Sequence, residues 1–200
     1  MAMNDGAVVI STRGAVFLAA ADTALPSLKL FGLEKDTVGD PGKQYTNIGH
    51  MSVDDLPSFD VDGGDSNTKD TWNKSNFRVT YDTVTAKVTF TSVQGDADTL
   101  KLMFDAANIP GGGTAVSLDK VEQKKAVFVY VEDTYTGKKF GIWMPNVSLA
   151  YSAMPELSQD GFNTFKLEGN ILSSTVLPKT ASGKASFIGF YLPADFDKAV

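Results

Sequence analysis

Ala126-Val127-Phe128-Val129-Tyr130-Val131 is apolar at every position and built from β-branched and aromatic side chains. That is the pattern of a strand covered on both faces or packed against another subunit. Thr136-Gly137-Lys138 then reads as a turn into a partner strand, in which Phe140, Ile142 and Met144 alternate before Pro145. This is the clearest hairpin in the sequence. Working outward, Thr83, Thr85, Lys87 and Thr89 alternate with Val84, Ala86, Val88 and Phe90, the period-two pattern of a strand with one buried face. Phe77, Val79 and Tyr81 form a matching strand just before it, with Asp82 near the turn, and the two read together as an antiparallel hairpin. Phe165, Leu167 and Ile171 share one face of a further strand, and residues 185–192 supply the last, after a Ser182-Gly183 turn.

One segment reads as a helix, residues 98–107, where Leu100, Met103, Phe104 and Ala107 follow spacings of three, four and seven. Asp96 and Asp98 sit where acids cap orphan N–H groups and oppose the helix dipole, and Pro110-Gly111-Gly112-Gly113 ends the run. One helix among many strands gives a mainly β chain, a β-sandwich or barrel with one flanking α-helix. Residues 22–44 are different, carrying Pro26, Gly32, Gly39, Pro41 and Gly42 around Leu28, Leu30, Phe31 and Leu33. A loop of that length is uncommon in a compact domain and usually functional. Its apolar side chains would be a liability in solvent unless another surface covers them.

The composition agrees with a β-rich chain. Of 24 acidic residues only Glu34, Glu122, Glu132, Glu156 and Glu168 are glutamates, and aspartate favours turns and caps where glutamate favours helix interiors. The 200 residues, 42% hydrophobic and 21% charged, suit one globular domain, here with an N-terminal arm at 1–13 and a short C-terminal tail at 193–200. A formal charge of −6 with only two arginines, Arg13 and Arg78, argues against a protein that grips nucleic acid phosphates. The absence of cysteine removes disulfides, Cys zinc sites and thiol nucleophiles. The N-terminal residues lack a cationic segment followed by a long apolar run, so a cytoplasmic beginning is expected, and no apolar stretch reaches the roughly 20 residues of a membrane helix.

Catalytic chemistry has few places to reside. His50 is the only histidine, and Asn47-Ile48-Gly49-His50-Met51-Ser52 has neither a nucleophile elbow nor a second metal ligand at helical spacing. Asp54, Asp55, Asp60, Asp62 and Asp65 cluster as in a calcium loop, yet Gly64 stands where an oxygen ligand belongs and Thr71 where a bidentate Glu is required. A solvated acidic turn is the simpler reading. Pro110-Gly111-Gly112-Gly113-Thr114 lacks the Gly-Lys-Ser/Thr ending of a phosphate loop. Asn73-Lys74-Ser75 and Asn146-Val147-Ser148 satisfy the glycosylation sequon but have no secretory signal to give it meaning. No catalytic, metal or cofactor residue is assigned. Trp72, Trp143, Tyr130, Tyr135 and Tyr151 leave open a carbohydrate-binding or adhesion module, and any two acids could on paper form a glycosidase pair.

Several stretches carry a family resemblance. Gly14 through Pro26, with its Thr23-Ala24-Leu25-Pro26 exit, resembles the opening strand of major tail tube proteins of long-tailed, siphovirus-type bacteriophages, especially those of actinobacterial hosts. Tyr45-Thr46-Asn47-Ile48-Gly49-His50, leading to Ser52 and the acidic turn at Asp54-Asp55, is similar to a second landmark of that family. Asp70-Thr71-Trp72, Ile142-Trp143-Met144-Pro145-Asn146-Val147 and residues 161–171 follow in the right order. The resemblance implies a structural virion protein and not an enzyme, without cofactors, made in the host cytoplasm and resident in the virion tail. Such subunits form six-membered rings that stack into a tube through which DNA and the tape-measure protein pass. The implied partners are copies of the chain, the tape-measure protein, tail-end proteins and DNA passing without specific binding, with no membrane. The loop at 22–44 then bridges neighbouring subunits or stacked rings, with Leu28, Leu30, Phe31, Leu33 and Tyr45 as candidate contacts.

Overall fold

The computed structural model describes residues 3–198; the outermost residues of the expected arm and tail, Met1, Ala2, Ala199 and Val200, lie outside the described residues. Alternating apolar side chains and turn chemistry divide the described residues into thirteen strands and two short α-helices. The first seven strands are β1 (Arg13–Ala20), β2 (Thr37–Val38), β3 (Tyr45–Asn47), β4 (Ser58–Asp62), β5 (Ser66–Thr71), β6 (Lys74–Tyr81) and β7 (Thr85–Ser92). After helix α1 (Ala97–Met103) come β8 (Asp105–Asn108), β9 (Thr114–Ser117), β10 (Gln123–Glu132), β11 (Lys139–Tyr151), β12 (Phe165–Ile171) and β13 (Gly189–Tyr191), then helix α2 (Pro193–Asp197).

Nine strands form one antiparallel sheet in the order β2-β3-β1-β10-β11-β12-β7-β4, with β13 also pairing with β11. At its centre Phe17 lies opposite Phe128 and Ala15 opposite Tyr130, so the side chains of β1 and β10 alternate in step. Phe17, Phe128, Tyr130 and Trp143 point to one side, and Val16, Leu18, Val127, Val129 and Met144 to the other. Each side has its own buried core, which is why residues 126–131 are apolar throughout. Fully burying one such large side chain contributes about 1.5–3 kcal/mol.

The second core also takes Val88 and Phe90 of β7, Leu167 and Ile171 of β12, and Met103 and Phe104 at the end of α1. A flat sheet would hold β1 and β7 about 19 Å apart at 4.8 Å per strand. Curling is completed by residues 48–52, where the Ile48 N–H donates to Val16 O at 3.0 Å and the Ser52 N–H to Thr91 O at 2.9 Å. This segment bridges the two sides of the sheet. The result is the expected mainly β, sandwich-like architecture, with the second core filling its interior and the first core on its back.

Several boundaries differ from the sequence reading. The helix ends at Met103 instead of Ala107, because Phe104 turns extended (φ −128°, ψ 160°) to enter the core and stack on Tyr151 at 4.7 Å between ring centroids. Ala106 and Ala107 then pair with Val116 and Ala115 in the β8–β9 hairpin, whose tip is the glycine run. The start of α1 agrees with expectation, since Asp96 Oδ1 accepts the Thr99 N–H at 2.8 Å. β11 does not stop at Pro145 but passes through it to Tyr151. Proline is tolerated there because the pairing with β10 shifts register between Lys125 and Val127. The last strand is only Gly189–Tyr191, and the expected tail contains α2, whose Phe196 is buried in the first core.

The hairpin expected between residues 77–81 and 83–90 is also corrected. β6 pairs with β5, whereas β7 pairs with β4 and β12. β4–β5 and β6–β7 together form one long ribbon, bent where Gly63 and Gly64 face residues 82–84. Gly63 has φ +85°, and a Cβ there would stand 2.2 Å from Thr83 O. The bend therefore requires glycine.

Candidate functional site

Beyond that bend, every residue of β5 and β6 is exposed. Thr71 pairs with Lys74, so Trp72 and Asn73 make a two-residue turn. The Asn76 N–H donates to Asp70 Oδ1 at 2.6 Å where the ladder shifts register between Lys69 and Thr71. Alternation places Phe77, Val79 and Tyr81 on one face, opposite Thr68 and Ser66 in the register, with Trp72 at the tip. Phe77 is 60% exposed, Tyr81 73%, and Trp72 fully so. The other face carries Lys69 directly opposite Arg78. Like charges in that position destabilise a ladder, and a two-stranded ribbon is marginal in water on its own. Among the described residues the ion pairs involve neither cation.

A second open feature lies at the mouth of the curled sheet. There a groove of about 910 Å³ runs over Val16, Val131 and Ile142 on one side and Met51, Leu56 and Phe59 on the other. Glu34 and Asp36 also line it, with Arg13. His50 stands on the same wall, exposed, and its backbone carbonyl accepts the Val93 N–H at 2.9 Å. The acids of the expected solvated turn are spread along exposed backbone, Asp60 and Asp62 on β4 and Asp54 and Asp55 before it.

The five residues expected as contacts do not share one surface. Phe31 is buried, its ring 4.3 Å from Phe128 and 5.1 Å from Phe17, and Leu28 is buried beside it in the first core. Tyr45 is fully buried; its hydroxyl donates to Thr23 O at 2.7 Å and accepts the Trp143 Nε1–H at 2.9 Å. Burial pushes its pKa well above the usual phenol value, more than the Trp143 hydrogen bond lowers it. Leu33 is half-buried against that core, and Leu30 is 49% exposed. Much of the loop's apolar surface is thus covered by the chain's own sheet. Of the aromatics weighed as a sugar platform, Trp143 and Tyr130 are core residues and Trp72 is on the ribbon tip.

The N-terminal arm is strapped to the β10–β11 turn. Thr12 Oγ1 donates to Glu132 O at 2.9 Å, and Lys138 Nζ donates to Asp5 O at 2.7 Å. Asp133 accepts N–H bonds from Ile10, Tyr135 and Thr136. Burial alone would raise the Asp133 pKa, but these hydrogen bonds outweigh it and hold the carboxyl below its usual value.

A curled antiparallel sheet with one helix on its interior core and exposed ribbons offers surfaces for assembly, and comparison with known proteins agrees. The family model described as phage tail tube protein matches residues 1–182. The chain belongs to the phage tail tube protein family. The major tail protein Gp23 of Mycobacterium phage L5 is 34% identical over 139 residues, 66% of this chain and 69% of that protein. Gp23 of Mycobacterium phage D29 is 33% identical over 139 residues, with the same shares of each chain. As a tail tube protein the chain is a structural component of the virion tail. Sequence reasoning located this family but not its exposed ribbon: the alternation of Phe77, Val79 and Tyr81 was the available signal, read as pairing with β7.

Proposed function

We propose that copies of this chain close into six-membered rings that stack into the tail tube, the conduit for DNA during ejection. The observation that carries this reading is the outer β5–β6 ribbon, which exposes Trp72, Phe77, Val79 and Tyr81. Such a surface becomes stable when a neighbour covers it, and unpaired strand edges become the means of assembly. Leu30 and Leu33, on the loop at 22–44, add a further contact between subunits or rings. Assembly takes place in the host cytoplasm around the tape-measure protein, with tail-end proteins closing the tube. The role is structural and not enzymatic.

The charge of −6 suits a conduit, because each phosphate contact to a cationic wall would add affinity and slow passage. Negative-stain microscopy of the concentrated protein should show rings or tubes with six-fold symmetry. A chain that remains monomeric at all concentrations and salt conditions would sink the reading. Purified tubes should leave duplex DNA unretarded at physiological salt; tight, salt-sensitive binding would contradict passage without grip.

A further inference from the structure

The ribbon and the groove are complementary in shape, polarity and charge. The ribbon offers Phe77, Val79 and Tyr81 on one face, while the groove offers exposed Leu56 and half-buried Val131, Ile142 and Met51 at the mouth of the sheet. Near its tip the ribbon carries Lys69, Lys74 and Arg78 against the single acid Asp70. The groove is lined by Glu34 and Asp36 against the single lining cation Arg13; next to the lining in sequence stand Lys35 and Asp54, while Asp55 is already paired with Lys166 at 3.8 Å. The chain's own ribbon does not enter the groove, since no residue of β5 or β6 lines it.

Resting on the tube-subunit reading above, we infer that the β5–β6 ribbon of one copy docks into the groove of a second copy. The aromatic face lies against Val131, Ile142 and Leu56, and Lys74, whose Nζ sits 6.0 Å over the Phe77 ring, meets the acids of the rim. With Trp72 at the tip, Phe77 and Tyr81 bring three exposed aromatics, each able to bury up to roughly 150–250 Å², a large part of the roughly 800 Å² per partner of a standard interface. The contact is heterologous: each copy uses a ribbon on one neighbour and a groove for another, which propagates instead of ending at a dimer.

The test uses two full-length variants. Val79→Asp with Tyr81→Asp disables the ribbon, and Val53→Asp with Leu56→Asp disables the groove; all four positions are exposed, so both chains should keep the parent's circular dichroism and thermal unfolding. In sedimentation velocity each variant alone should need at least about tenfold more protein than the parent to associate. A one-to-one mixture should form a dimer and stop there, because one intact ribbon and one intact groove remain. If the parent assembles and the ribbon variant assembles equally well, or the mixture stays monomeric, the docking is overturned while the tube reading stands. A parent that never associates overturns the tube reading and this contact with it.

Discussion

β1 and β10 at the centre of the sheet and β5 and β6 in the outer ribbon are both antiparallel pairs with alternating side chains, yet their surroundings are opposite. In the central pair successive side chains enter two different cores, one under the loop at 22–44 and one inside the curl. In the ribbon every residue is exposed, although Phe77, Val79 and Tyr81 are as apolar as anything in β10. The comparison teaches that alternation specifies a strand face without saying who will cover it. The centre is covered within the chain, and the ribbon is left uncovered by it.

The largest way to break the contrast is Phe128→Ala, which removes the ring lying against Phe31. It should lower stability in urea by about 3–5 kcal/mol, and a loss below about 1 kcal/mol would mean that the back core is not a unit. Tyr45→Phe comes next, leaving the Trp143 Nε1–H and Thr23 O without their shared partner. Its expected cost is about 1–3 kcal/mol; an unchanged urea midpoint would show that water or a neighbour replaces the hydroxyl.

Gly63→Ala acts at the bend between the two regions and should cost about 1–3 kcal/mol through backbone strain. Faster amide exchange in β5 and β6, with β10 still protected, is the expected signature; uniform loss of protection would mean that the ribbon is not a separate unit. The arm responds to acid. Because the folded Asp133 carboxyl is held below its usual value, its stabilising contribution is present above the ordinary aspartate pKa of about 3.9 and is lost as pH falls through the folded value. The amides of Ile10, Tyr135 and Thr136 should then lose exchange protection on acidification, whereas persistence after protonation would remove Asp133 as the clasp. The smallest effect is predicted for Phe77→Ser with Val79→Ser. Stability of the monomer should stay within about 0.5 kcal/mol of the parent, and a larger loss would place a hidden intramolecular contact on the ribbon.

Some of this was legible beforehand. The β10–β11 hairpin, the Asp96 cap and the double-sided burial of residues 126–131 follow from local pattern, because turn residues and side-chain alternation act over a few positions. The end of α1 was not, since Ala107 fits a helical stripe equally well as a strand, and it is the burial of Phe104 that turns the chain. The partner of β6 was not either. Phe77, Val79 and Tyr81 satisfy a pairing with β7 as readily as with β5, and the choice depends on β12 and β4 already occupying both edges of β7.

Sequence alone determined the mainly β character, the central apolar strand, the absence of thiol chemistry, the acidic balance and the family resemblance, all properties of residue identity and spacing along the chain. Tertiary structure decided which apolar residues the chain keeps for itself. Leu28, Phe31 and Tyr45 turned inward because the outer face of the curled sheet lay uncovered beside their loop. Trp72, Phe77 and Tyr81 stayed outside because the bend at Gly63 carries the ribbon beyond the reach of either core. Hydrophobicity is a property of a side chain, but burial is a property of the surface it meets, and only the fold brings that surface into place.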